Sequence, residues 1–301
     1  MLFRSARDRG DGDGPKCADP GDRGAVAGGT QMIFRRQIGW LVAQAYVLSG
    51  ARRRIVRRCR AGNLIVPILF HGPTPSQLDE ILGALVRLVG VEHLDVSFDD
   101  GRKSVRDCLP ILEKYGVRAT IFISPGEILR GYNWAENVRG LPIPDFGALC
   151  KMGELARIAA LEARFDSLGK RPKESELLSV EDIRQMAGHP LVEFGNHTWS
   201  HMSCANRPLD EVVDEIERTQ KQILEWTGFQ PTKFSYPFGH DSATVEAAVR
   251  GMGLTPYCLR PGLVTNETRG TARNMAYENL SLAENIGRLL TAWPKVRRMP
   301  I

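Results

Sequence analysis

With 301 residues, 43% of them hydrophobic and 25% charged, the chain can bury a full core and has an ordinary soluble composition. Its formal net charge of +5 does not mark a nucleic-acid binder, because much of the excess sits in Arg35, Arg36, Arg52, Arg53, Arg54, Arg57, Arg58 and Arg60, without aromatic interleaving or a groove-reading motif. The six cysteines form no C-x-x-C pair, which argues against a structural zinc site or a disulfide scaffold.

Residues 1–30 are rich in Gly, Asp, Arg and Ala without periodicity and are expected to be disordered. Residues 31–61 form a basic amphipathic helical segment, in which apolar residues from Ile33 to Leu48 precede the arginine cluster. Such a segment either packs on the domain with a solvated basic end or, through residues 33–60, touches anionic lipid from one side. No run approaches the ~18 consecutive apolar residues of a membrane span. The start Met1-Leu2-Phe3-Arg4 leads into no apolar signal region. A cytoplasmic location, or one peripheral to the inner face of the membrane, is the expectation.

From residue 62 to 301 strand and helix patterns alternate. The apolar run Ile65-Val66-Pro67-Ile68-Leu69-Phe70 predicts a strand, and Leu78, Ile81, Leu82, Leu85 and Val89 predict a helix over Ser76 to Val89. A second strand follows in His93-Leu94-Asp95-Val96-Ser97-Phe98, then a helix from Ser104 to Tyr115 and a strand over Ala119 to Ile123. Residues 131–178 break this rhythm and read as a partly helical insertion after a strand. Beyond it come a capped helix start at Ser179, a strand over Leu191 to Phe194, a helix over Pro208 to Trp226 and a strand over Lys233 to Tyr236. A helix over Ser242 to Met252, strands near Leu254 to Leu259 and Arg273 to Tyr277, and a helix from Leu282 to Trp293 complete the pattern. Cys108 and Cys258 read as core residues. About seven βα units predict an α/β fold, a (β/α) barrel of parallel strands whose rim gathers residues from successive strand ends.

Two groups at those ends carry chemistry. Asp99 and Asp100 stand side by side before Gly101, and adjacent like charges call for a cation or for division into a metal ligand and a proton acceptor. A solvated acidic turn is the bland alternative. His197 and His201, at i and i+4, can reach one ion from the same side, and with the Asp pair they make a two-histidine, one-carboxylate set suited to a divalent metal.

The combination resembles the NodB-homology polysaccharide deacetylases, carbohydrate esterase family 4. Ser97-Phe98-Asp99-Asp100-Gly101 matches the family's first motif and His197-Thr198-Trp199-Ser200-His201 its second. Ser235-Tyr236-Pro237-Phe238-Gly239 matches the third in part, in the style of the poly-N-acetylglucosamine deacetylase branch. The resemblance implies a deformed barrel and N-deacetylation of an amino-sugar polysaccharide or glycan precursor. It implies a divalent metal, Zn with Co, Ni, Fe or Mn as alternatives, held by Asp100, His197 and His201. Asp99 would be the general base and the Phe238 backbone N–H an oxyanion donor, with Tyr236, Pro237 and His71 lining the substrate side. Ser235 stands where many members carry an arginine, and the late Leu-x-His motif is unmatched. Arg273 is the candidate for the missing guanidinium and His240 the candidate for a substitute acid, with protonation of the leaving amine by another residue left open. Hydrolysis of a non-sugar amide, or glycan binding by an impaired homologue, are the alternatives.

Overall fold

The computed structural model describes residues 50–138 and 146–290. The disorder expected for residues 1–30 and the apolar half of the 31–61 segment lie outside the described residues. What is described of that segment is helix α1, Gly50–Arg60, whose Cys59 is buried in the core, with Ile55 and Val56 packed against it.

Seven described strands form one sheet: β1 Val66–Phe70, β2 Leu94–Phe98, β3 Ala119–Ile123, β4 Val192–Asn196, β5 Lys233–Ser235, β6 Thr255–Tyr257 and β7 Asn274–Met275. Their order is β6-β5-β4-β3-β2-β1-β7 and every pairing is parallel. Parallel neighbours need crossover connections, which the helices between strands supply. These are α2 Pro75–Val89, α3 Ser104–Asp107, α4 Leu109–Tyr115, α5 Pro125–Arg130, α6 Trp134–Val138, α7 Phe146–Cys150, α8 Glu154–Ser167, α9 Val180–Ala187, α10 Leu209–Thr227 and α11 Ala243–Gly251, with α12 Leu282–Leu290 after β7.

The single helix expected from Ser104 to Tyr115 is broken at Cys108 into α3 and α4. Pro110 lacks the N–H that a continuous helix would donate to the Arg106 carbonyl, and its ring crowds that carbonyl. The start of α9 matches its sequence signal, with the Ser179 hydroxyl accepting from the Asp182 N–H and the Asp182 carboxylate accepting from the Ser179 N–H.

Strand periodicity sorts the two faces of the sheet. On β2, Leu94, Val96 and Phe98 join the main core with Leu78, Leu82 and Leu85 of α2. The alternate residues Asp95 and Ser97 face the other way, as does Asp99 just beyond the strand. That inner face is a buried polar column, and its partners show how far the sheet curls. Tyr257, on edge strand β6, donates from its hydroxyl to Asp95 at 3.2 Å, although four strand steps separate β6 from β2. In a flat sheet those steps would amount to about 19 Å. Arg273, beside the opposite edge strand β7, reaches Ser235 of β5 at 2.6 Å. The sheet is therefore rolled into a half-barrel of seven strands with the polar column inside it, the α/β barrel architecture expected from the βα rhythm.

Candidate active site

The chain turns sharply after β2. Asp100 and Gly101 both adopt left-handed backbone, with φ of 69° and 61°. A Cβ at Gly101 would lie 2.9 Å from Ile123 Cγ2, so glycine is required there twice, for conformation and for space. The double turn sends the two aspartates in different directions.

Asp99, 4% exposed, points into the barrel. Arg273 grips it with both terminal nitrogens, Nη1 to Oδ1 at 2.8 Å and Nη2 to Oδ2 at 3.0 Å, and Ser235 Oγ donates to Oδ2 at 3.1 Å. Arg273 itself is 2% exposed, donates to Ser97 Oγ at 3.2 Å, and lies over the Phe122 ring at 5.4 Å. Burial pushes the Asp99 carboxyl up, but the Arg273 and His197 charges outweigh burial and hold it below the usual carboxylate range.

Asp100 turns outward to the histidines that follow β4. Its Oδ1 lies 3.1 Å from His201 Nε2 and 3.5 Å from His197 Nε2. Against the cost of burial, these two imidazoles hold the Asp100 carboxyl well below its ordinary value. The His197 Nδ1–H donates to the Ser235 carbonyl at 2.7 Å, which orients the ring so that Nε2 is directed at Asp100. Burial lowers the His197 pKa, yet Asp99 and Asp100 raise it overall, whereas for His201 burial prevails and the pKa falls. One carboxylate oxygen and two imidazole nitrogens, all within 4.8 Å of one another, form a donor set that fits a divalent ion of the zinc type with positions left open.

The other residues singled out from the sequence arrange themselves around this centre. Phe238 sits in a left-handed turn, φ 63°, with its ring edge-on to His201 at a centroid distance of 4.6 Å. Pro237 opens that turn. His71 follows β1 at the same rim. His240 Nδ1 lies 2.7 Å from Ser203 Oγ, and its ring packs 5.5 Å from that of Phe238. Tyr236 is a correction. It is 1% exposed, packed with Phe234, Met202, Cys204 and Val212, and its hydroxyl faces no partner, so its side chain is core beneath the site and offers nothing to a substrate. The strand alternation that puts Ser235 inward turns Tyr236 outward into the helix layer.

Sequence reasoning missed several residues of this centre. Arg102 pairs with Glu136 at 2.5 Å and lies 3.7 Å from Asp100 Oδ2. Buried Glu127, Arg157 and Glu215 surround the His201 loop. Their signal was a charged residue in line with core positions: Arg157 stands four residues before Leu161 and eight before Phe165 on α8, and Glu215 lies between Val212 and Ile216 on α10.

The family model described as Polysaccharide deacetylase matches residues 90–257. Chitin deacetylase 1 of Cryptococcus neoformans is 35% identical over 85 residues, 27% of this chain and 17% of that protein. Peptidoglycan-N-acetylglucosamine deacetylase PgdA of Listeria monocytogenes is 29% identical over 79 residues, 26% of this chain and 16% of that one. The matched stretches thus span only about a sixth of those curated relatives. The Streptococcus pyogenes deacetylase PplD, solved in complex with acetate, superposes with a TM-score of 0.50 at 14% identity, over 75% of this chain and 98% of that one. Polysaccharide deacetylase BC0361 of Bacillus cereus gives 0.51 at 13% identity, over 75% and 69%. These two share the fold. With more than half of its length inside the family model, the chain belongs to the polysaccharide deacetylase family.

Proposed function

We propose that this protein is a metal-dependent hydrolase that removes N-acetyl groups from amino sugars of a polysaccharide or glycan precursor. The observation that carries this reading is the pairing of an Asp100-His197-His201 donor set with a neighbouring carboxylate, Asp99, clamped by Arg273. The relatives named for chitin and for peptidoglycan N-acetylglucosamine support the substrate class.

A divalent cation held by Asp100, His197 and His201 would polarise the amide carbonyl and lower the pKa of an attacking water. Asp99 is the general base. A carboxylate offers about four lone-pair sites. Arg273 Nη1, Arg273 Nη2 and Ser235 Oγ occupy three, and the remaining one, on Oδ1, is free to take the proton. Because Arg273 keeps Asp99 ionised, the base is ready at neutral pH. The Phe238 turn presents a backbone N–H to the developing oxyanion. For the leaving amine, His71 and His240 are the imidazoles at the rim beyond the donor set. We assign proton delivery to His240, whose ring packs 5.5 Å from that of Phe238, which in turn stands edge-on to His201. Arg273 weighs against the impaired-homologue alternative, which the serine at position 235 and the unmatched late histidine motif motivate: a guanidinium comes from just before β7 instead.

Purified protein with Zn²⁺ or Co²⁺ should release acetate from chito-oligosaccharides and lose that activity on chelation. Tight glycan binding with no acetate release by the metal-loaded protein would overturn the proposal.

A further inference from the structure

The segment from His197 to Ser203 has no regular secondary structure, and two of its residues, Thr198 and His201, hold left-handed backbone with φ of 60° and 53°. A non-glycine residue there is strained, and such conformations persist only where surrounding contacts over-determine them. The contacts are on view in the carbonyls of this loop. Ser124 Oγ donates to the His197 carbonyl at 2.8 Å and the Gly126 N–H to that of Trp199 at 2.9 Å, both from the β3 connection. The next two carbonyls are held from the inserted helices. Arg157 Nη2, on α8, donates at 2.8 Å to the carbonyl of Ser200 and at 2.8 Å to its hydroxyl. Trp134 Nε1, on α6, donates at 3.1 Å to the carbonyl of His201.

Arg157 is 1% exposed, stacks on the Trp134 ring at 4.6 Å, and shares Ser200 with Glu215, which accepts from the Ser200 N–H at 2.9 Å and from its hydroxyl at 2.5 Å. Burying a guanidinium and a carboxylate is expensive, and apolar side chains of similar volume would attach a helix at less cost. The insertion already has apolar residues for that purpose, with Leu149, Leu161 and Phe165 in a core of their own. What apolar residues cannot do is orient a carbonyl.

We propose that Arg157 and Trp134 are positioning residues for the metal, holding the Ser200 and His201 carbonyls so that the His201 imidazole stays directed at Asp100. The inserted segment then acts as a brace for one ligand of the centre, and metal affinity depends on helices that contribute no ligand themselves. This rests on the assignment of Asp100, His197 and His201 as the metal site.

The test compares the full chain with Arg157→Met, Arg157→Lys and Trp134→Phe, by competition for Zn²⁺ against a chromophoric chelator and by the visible spectrum of the Co²⁺ form. Loss of an outer-shell partner weakens metal binding by about 10- to 100-fold, and that loss is expected for Arg157→Met, with a changed Co²⁺ spectrum and an unchanged circular dichroism spectrum. Arg157→Lys, which retains a donor, should recover part of the loss, and Trp134→Phe should weaken binding by a smaller factor. Folded Arg157→Met and Trp134→Phe proteins with the parent affinity and spectrum would overturn the proposal. If Arg157→Met does not fold, Trp134→Phe, which removes one donor, decides by the same criteria. Metal retained by Asp100→Ala at the parent affinity would instead overturn the site assignment, and the brace with it.

Discussion

Asp99 and Asp100 differ by one position and by their nearest partners. Asp99 meets a buried arginine and Asp100 meets two imidazoles. The basicity of Asp99 is a balance between burial, which raises its pKa, and Arg273, which lowers it. Replacing Arg273 by Gln leaves the burial and removes the opposing charge, so the Asp99 pKa must rise. The acidic limb of the kcat/KM profile of Arg273→Gln should therefore move to higher pH, and a limb that stays in place would show that Arg273 does not govern the base. The role given to His240 has its own readout. A general acid is worth about 10²- to 10⁴-fold in rate, so His240→Asn should lower kcat by a factor in that range. A larger effect from His71→Asn would reassign the proton to His71. That Asp100, His197 and His201 come together was legible in the sequence because each group is local, a few residues at a strand end. The partnership of Arg273 with Asp99 spans 174 residues, so the sequence offered Arg273 as a candidate without showing its grip. Tyr236 was misread because the motif was taken as a unit, whereas strand alternation separates its neighbours onto opposite faces.

At the scale of elements, the strands were legible because β1, β2 and β3 are buried along their full length and so read as apolar runs or clean alternations. The same burial supplied a signal that was not used, in the charged residues lying in line with core positions of α8 and α10. The turn after β2 is the element on which the site depends. Gly101→Ala puts a Cβ into left-handed backbone, a cost of about 1–2 kcal/mol, and drives it against Ile123. Denaturant unfolding of the metal-free protein should show an unfolding free energy lower by at least that amount, read as a lower midpoint at unchanged slope, and an unchanged midpoint would mean that the double turn carries no strain. The insertion was legible as a break in the βα rhythm. Its hold on the His201 loop was not, because a hydrogen bond from a side chain to a distant carbonyl leaves no pattern in the sequence.

For the whole molecule, the curl of the sheet is what makes one site from distant strands. Asp99 follows β2, Ser235 ends β5 and Arg273 precedes β7, and only a rolled sheet brings them within hydrogen-bond distance. The barrel interior is thus a polar column running from Asp95 and Tyr257 up to Asp99, with the Asp100-His197-His201 set above it. Parallel strands with chemistry gathered at one rim were foreseeable from the order of motifs, while the closing of the polar column is a tertiary fact that no single segment encodes. The central claim, that Asp99 takes the proton while Asp100 holds the metal, separates two adjacent carboxylates by role, and acetate release by metal-loaded Asp99→Asn tests it most directly. The predicted result is a protein that folds, binds Zn²⁺ like the parent and loses activity by about 10²-fold or more; parent activity in that variant would contradict the assignment.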